Sequence, residues 1–154
     1  LVLHLGRWGY VGAFMISLIA SATIVLPAPG IMVVIAMSTA LNPYALGIVA
    51  GVGSAIGELT GYAAGRSGGM FIPEAQRQQV ERLHALTEKY GAIIIAVLAA
   101  LPFPLFDFAG MVAGMLKMSV YSFLAAVSIG KSVKYICLIL LGAAPLHLLQ
   151  HFFK

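Results

Sequence analysis

The chain has 154 residues and a mass of 16.2 kDa; 61% of it is hydrophobic, 9% is charged and the mean hydropathy is +1.01. Soluble domains carry about a quarter of their residues as charge, so there is too little polar surface here to cover a water-soluble globule, and a soluble enzyme is excluded. The net charge of +4 comes from scattered basic residues, which argues against a nucleic-acid partner, and the lone Cys137 forbids an internal disulfide.

Residues 8–57 contain no charged side chain, well beyond the roughly twenty apolar residues that cross a bilayer, so the chain reads as an integral membrane protein. Pro27-Ala28-Pro29-Gly30 and Asn42-Pro43 interrupt that run, because proline lacks a donor N–H and biases its predecessor away from helix. The pattern predicts a helix over 9–26, a short one over 31–41, and a spanning helix over 44–66 about 34 Å long. Next, Ser67-Gly68-Gly69 is a break, and Pro73-Glu74 opens a helix ending at Tyr90-Gly91. Its residues Val80, Leu83, Leu86 and Tyr90 share one face, and Arg77, Glu81, Arg82, Glu88 and Lys89 fall elsewhere, the pattern of a helix lying at the membrane interface.

After Gly91 the order begins again: an apolar stretch over 92–101, the break Leu101-Pro102-Phe103-Pro104, a short stretch over 105–117 and a helix over 119–142. Leu26-Pro27-Ala28-Pro29 matches Leu101-Pro102-Phe103-Pro104, and Ile56-Gly57-Glu58 with Tyr62 matches Ile129-Gly130-Lys131 with Tyr135. Ten residues of helix reach about 15 Å, half of the hydrocarbon core, so the stretch after Gly91 must dip in and return. One re-entrant hairpin plus one spanning helix per copy crosses the membrane an odd number of times, which inverts the second copy. The expected fold is therefore all-α and polytopic, a single membrane domain with repeat 1 over 9–66, an amphipathic linker over 67–90, repeat 2 over 91–143 and a tail over 144–154. The hairpin tips, Pro27, Pro29 and Gly30 with Pro102 and Pro104, would meet inside the protein, since irregular backbone facing lipid is too costly.

Gly53, Gly57, Gly61 and Gly65 recur every four residues and bare one helix face for close packing. Beside them Glu58, Tyr62 and Arg66 form a polar stripe, and Lys131 and Tyr135 repeat its spacing on the later helix, with Lys134 one turn from Lys131. Glu58 lies about 21 Å along its helix and Lys131 about 18 Å along an antiparallel one, so the two could pair. An ionisable residue at such depth marks a pathway or a counter-ion, or else a pair that fixes the packing of the repeats. Asp107 follows the second tip where the first repeat has Met32, and reads either as a helix cap or as a proton carrier. His147 and His151 have metal spacing without a third ligand in matching context, so neither a metal nor another cofactor is expected. No nucleophile has an assigned base, so the chain is not expected to be an enzyme. Arg66, Arg77, Arg82, Lys89 and Lys117 would share the cytoplasmic side, opposite Arg7 and Lys154.

The run from Gly57 to Gly69, GELTGYAAGRSGG, resembles the acidic-x-x-Gly-Tyr-x-x-Gly-Arg-x-x-Gly signature of the DedA family, also called the VTT or SNARE-associated family. The resemblance covers nearly the whole chain and implies a membrane protein that moves or scrambles lipids, such as undecaprenyl phosphate or phospholipids, in a bacterial or archaeal cell membrane. It also makes Glu58 the family's acidic residue and Arg66 its basic partner. Ile31 and Met32 stand where many members carry an acidic residue, and Leu101 and Asp107 where they carry arginines; Lys131 and Lys134 could supply that positive charge. The leading expectation is a half-open groove, built from the hairpin tips with Glu58, Tyr62, Arg66, Asp107, Lys131, Lys134 and Tyr135, for the head group of an anionic membrane lipid. The alternatives are a proton-coupled transporter of a small solute or ion and a non-transporting assembly protein, and the chain could form a homo-oligomer.

Overall fold

The computed structural model describes residues 2–22, 27–68, 74–101 and 109–152. Within them the chain is helical: α1 (Val2–Ala22), α2 (Pro27–Met37), α3 (Pro43–Gly57), α4 (Leu59–Ser67), α5 (Glu74–Tyr90), α6 (Ala92–Ala100), α7 (Ala109–Met115) and α8 (Val120–Phe152). Among the described residues two helical rods are long and apolar enough to cross a membrane, Pro43–Ser67 and Val120–Gly142.

These rods form the centre. Gly47 faces Ile136 and Gly51 faces Ser132, so the partner number falls as the glycine number rises and the rods run antiparallel. The missing Cβ atoms let the backbones approach, since a methyl group at Gly51 would fall on Ser132 backbone. The rod over 43–67, expected as one uninterrupted helix, has a turn at Glu58, which caps α3 and opens α4 with φ −69° and ψ −11°. Glu58 N still donates to the Ser54 carbonyl at 3.0 Å and Tyr62 N to the Glu58 carbonyl at 3.0 Å, so the rod continues in direction.

α1 and α2 fold back on each other. Gly30 lies against Ala20, Gly12 reaches Met37, and Gly9 meets Leu41, the falling register of an antiparallel pair. The first half of α1 is joined to the start of α3, where Asn42 N donates to the Tyr10 hydroxyl at 3.2 Å. Asn42 then caps α3, its Oδ1 accepting from Tyr44 N at 3.0 Å and Ala45 N at 3.2 Å, with Pro43 in the first turn. The other end of α1 stops beside Gly57 and Thr60: Thr60 Oγ1 donates to the Ala22 carbonyl at 3.2 Å. Gly57 lies 14 residues past Pro43, so α1 ends about 21 Å along a rod of about 37 Å.

From the opposite end, α6 runs up α8 until Ala96 and Ala100 meet Gly130, and α7 returns along α4 with Gly110 on Glu58, Met111 on Gly65 and Gly114 on Tyr62 and Arg66. Lys117 closes α7 with φ 53°, the left-handed position that glycine usually fills, and Met118 N donates to the Ala113 carbonyl at 3.1 Å. α5 lies across this end through Val80, Leu83 and Thr87.

Several expectations need correction. Pro27 to Gly30 is helical, not irregular: first-turn N–H groups have no intrahelical acceptor, so prolines there cost the helix nothing. That shifts α2 four residues earlier than 31–41, and α1 begins at Val2 where 9 was expected, while residues 23–26 of the expected 9–26 lie outside the described residues. α8 runs past Gly142 to Phe152. On α5 the inward face is Val80, Leu83 and Thr87, whereas Leu86 and Tyr90 are exposed; the steps of three and four residues from Val80 select Thr87. Pro102, Pro104 and Asp107 lie outside the described residues, as does Lys154.

Candidate functional site: a buried ion pair between two apolar cores

The packing divides into two apolar clusters. One gathers Tyr62, Val80, Leu83, Ile95, Met111, Phe123 and Val127; the other gathers Ala13, Val34, Leu46, Ala50, Tyr135 and Ile139. Between them, in the middle of the two long rods, lie the buried charges Glu58, Lys131 and Lys134, each no more than 6% exposed. Lys131 Nζ stands 3.5 Å from Glu58 Oε1. Buried ions are tolerated only when paired, so this geometry accounts for the survival of both charges in an apolar interior. Lys134 follows Lys131 by three residues and extends the same polar seam along α8.

Backbone geometry makes room for the seam. A Cβ on Gly110 would come within 2.9 Å of Glu58 Cγ, so α7 leans on the carboxylate side chain through a glycine. Gly57 and Gly130 flank the pair from behind with matching contacts: the first faces the Leu18 carbonyl and Ala22 N, the second the Ala96 carbonyl and Ala100 N. In each case a helix end, α1 or α6, is brought beside the charged residue that follows the glycine.

Tyr62 and Arg66 belong to the end of the rod. The Tyr62 hydroxyl donates to the Met118 carbonyl and accepts from Arg66 Nη1 at 2.8 Å, and its ring stacks on Phe123 with centroids 4.9 Å apart and planes 27° apart. Arg66 is exposed, two helical turns or about 12 Å along the rod from Glu58. Thus Glu58 and Lys131 come together with Lys134 buried one turn along α8, Tyr62 and Arg66 lie between them and one end, and Tyr135 sits in the second apolar cluster.

The glycine face is shared between neighbours. Gly53 and Gly57 receive α1, at the Phe14 and Leu18 carbonyls, Gly65 receives α7 at Met111, and Gly61 has only an ordinary contact at 3.9 Å. Among the described residues, α1 meets this face as far as Gly57 and α7 meets it at Gly65. Sequence reasoning missed Gly110 and its contact with Glu58, though Gly110 and Gly114 carry the same four-residue spacing that drew attention to the earlier set. It also missed a set of hydroxyls, Ser17, Ser21 and Ser54, between α1 and α3; Ser21 Oγ and Ser54 Oγ are in hydrogen-bond contact.

Comparison with curated proteins and with solved structures returns no match. The VTT domain family model matches residues 26–144, a stretch that takes in α2 through the spanning part of α8 and every charged residue of the buried seam. With most of its length matched, two membrane-length rods and ionisable groups between them, the chain belongs to the VTT domain family, a family of membrane-associated proteins linked to transport.

Proposed function

We propose that the protein moves an anionic lipid across the membrane, its head group travelling along the Glu58, Lys131 and Lys134 seam while its chains stay in lipid. The observation that carries the reading is the ion pair of 3.5 Å in the middle of two membrane-length rods, with the ends of α1 and α6 beside it. An ionisable group at bilayer depth costs about 2.5 to 3.5 kcal/mol on insertion scales, and such groups usually face a pathway. A phosphate head group needs cationic donors and a wet groove, and two lysines with one carboxylate give the seam a positive excess among its described members.

In this reading α1–α2 and α6–α7 are re-entrant hairpins that enter from opposite faces, and the molecule is an inverted repeat. Three features support it: the antiparallel rods, the equivalent contacts at Gly57 and Gly130, and the return of each hairpin to its own side. The described ends of α1 and α6 both lie beside one charged seam, which makes it a natural crossing point. Arg66, exposed near the end of the rod, offers the phosphate its first or last contact, with Tyr62 orienting the guanidinium. Asp107, beyond the described residues, remains part of the proposal as the carboxylate of the second tip.

A lipid flip assay in reconstituted vesicles tests this. Lys131→Ala and Glu58→Gln are expected to slow head-group movement; unchanged rates in both would refute the assignment. The buried Glu58 carboxylate also favours a second reading, a proton-coupled transporter of a small solute or ion. Flux driven by a pH gradient with no lipid movement would select that reading.

A further inference from the structure

We infer that the seam between α1 and α3 is hydrated, with Ser17, Ser21 and Ser54 holding water that reaches Glu58, so that this seam is a binding site whose ligand is water. The starting point is Ser17. It is fully buried, and among the described residues its Oγ has no hydrogen-bond partner.

A helical hydroxyl has an easy alternative, which is to turn back onto a carbonyl three or four residues earlier. Elsewhere this protein uses it: Ser38 bonds Ile35 at 2.6 Å, Ser67 bonds Ala64 at 2.8 Å, and the buried Thr87 bonds Leu83 at 2.7 Å. Ser17 does not. A buried hydroxyl left without a partner carries its whole desolvation penalty, and native interiors relieve that with ordered water where the surroundings are polar.

Those surroundings exist. Ser17 and Ser21 are four residues apart on α1, hence on one face, and Ser54 and Glu58 are four apart on the α3–α4 rod. The two pairs are joined because the Ser21 and Ser54 hydroxyls touch across the seam. Four polar side chains therefore make a zigzag that begins at a partnerless hydroxyl and ends at the buried carboxylate. A bridging water needs two to four polar neighbours, and the i, i+4 gaps at either end of the zigzag supply them. The site deepens the reading of Glu58 as a functional group and depends on it only for its consequence: a head group reaching Glu58 would meet an already wet path.

The test uses thiol accessibility in intact membranes. In a Cys137→Ala background, Ser17→Cys is exposed to silver ion, which follows water, and modification is scored as protection from alkylation after denaturation. Ala13→Cys is the control, one turn earlier on α1 and equally buried. A thiol in apolar surroundings has a raised pKa, each unit of which lowers its thiolate about tenfold, so a wet Ser17→Cys should react about tenfold or more faster than Ala13→Cys. A second readout, the melting temperature of Ser17→Ala, should fall if bound water is lost. Equal inertness of the two thiols, or a melting temperature that holds or rises, would overturn the proposal. Neither readout involves transport, so the result is independent of the lipid flip assay.

Discussion

Tyr62 and Tyr135 share a sequence spacing, each four residues beyond a buried charged residue and each 4% exposed. Tyr62 is held by a hydrogen bond to the Met118 carbonyl, by the Arg66 guanidinium and by a stack on Phe123. Tyr135 packs among Ala13, Val34, Leu46, Ala50 and Ile139, and Ile139 stands where the first half has Arg66. The two tyrosines are thus held differently, Tyr62 by directional polar bonds and a ring stack, Tyr135 among apolar side chains. A hydrogen bond weakens steeply when its angle or length changes, whereas apolar contact tolerates sliding. Bonds of the first kind hold Tyr62 at one end of the rods, and packing of the second kind surrounds Tyr135 at the other.

The sharpest way to break this arrangement is at the pair the two halves share. Lys131→Met removes the ammonium that Glu58 faces at 3.5 Å, and breaking a buried pair from one side costs about 3 to 5 kcal/mol. The double variant Glu58→Gln with Lys131→Met should recover much of that loss, because neither site then buries an ion facing an apolar partner. Thermal unfolding of the four proteins in detergent measures both effects, and a double variant no better than the single would show that the pair is not the coupled unit described here.

That pair is also the part of the site most legible in the sequence. Glu58 and Lys131 are ionisable residues inside otherwise apolar helices, and counting 1.5 Å per residue from each helix start brings them to similar depth. The glycines were half legible: a period of four predicts a bare face, yet which neighbour fills it is a tertiary fact, and here Gly57 meets α1 and Gly65 meets α7. Pro27 misled because proline both breaks a helix and begins one, and only the surrounding chain selects between the two. The Met118 acceptor was invisible, since every residue has a carbonyl and nothing in a sequence says which one a tyrosine will find.

A smaller effect separates the halves. A methyl group at Gly114 would strike the Tyr62 carbonyl and come within 2.8 Å of Arg66 N, both backbone, while one at Gly142 would meet only the Ile35 side chain, nearest at 2.9 Å. Backbone held by a helix cannot yield, but the end of an isoleucine can rotate. Gly114→Ala should therefore cost about 1 to 3 kcal/mol through overpacking, and Gly142→Ala distinctly less. Equal losses in melting temperature would contradict this distinction between a backbone and a side-chain neighbour.

The smallest predicted difference tests the tyrosines themselves. Tyr62→Phe keeps the ring on Phe123 but deletes the hydroxyl that donates to Met118 and accepts from Arg66. An intramolecular hydrogen bond contributes about 1 kcal/mol net, so this variant should lose at least about that much, with the Met118 carbonyl left to find another donor. Tyr135→Phe removes a hydroxyl from a side chain whose packing partners are apolar, so it should be close to neutral. Each variant loses one oxygen, so comparing the two cancels the loss of volume and isolates the polar bond. If Tyr135→Phe proved as costly as Tyr62→Phe, Tyr135 would also be held by its phenol, and the contrast between the two tyrosines would fail.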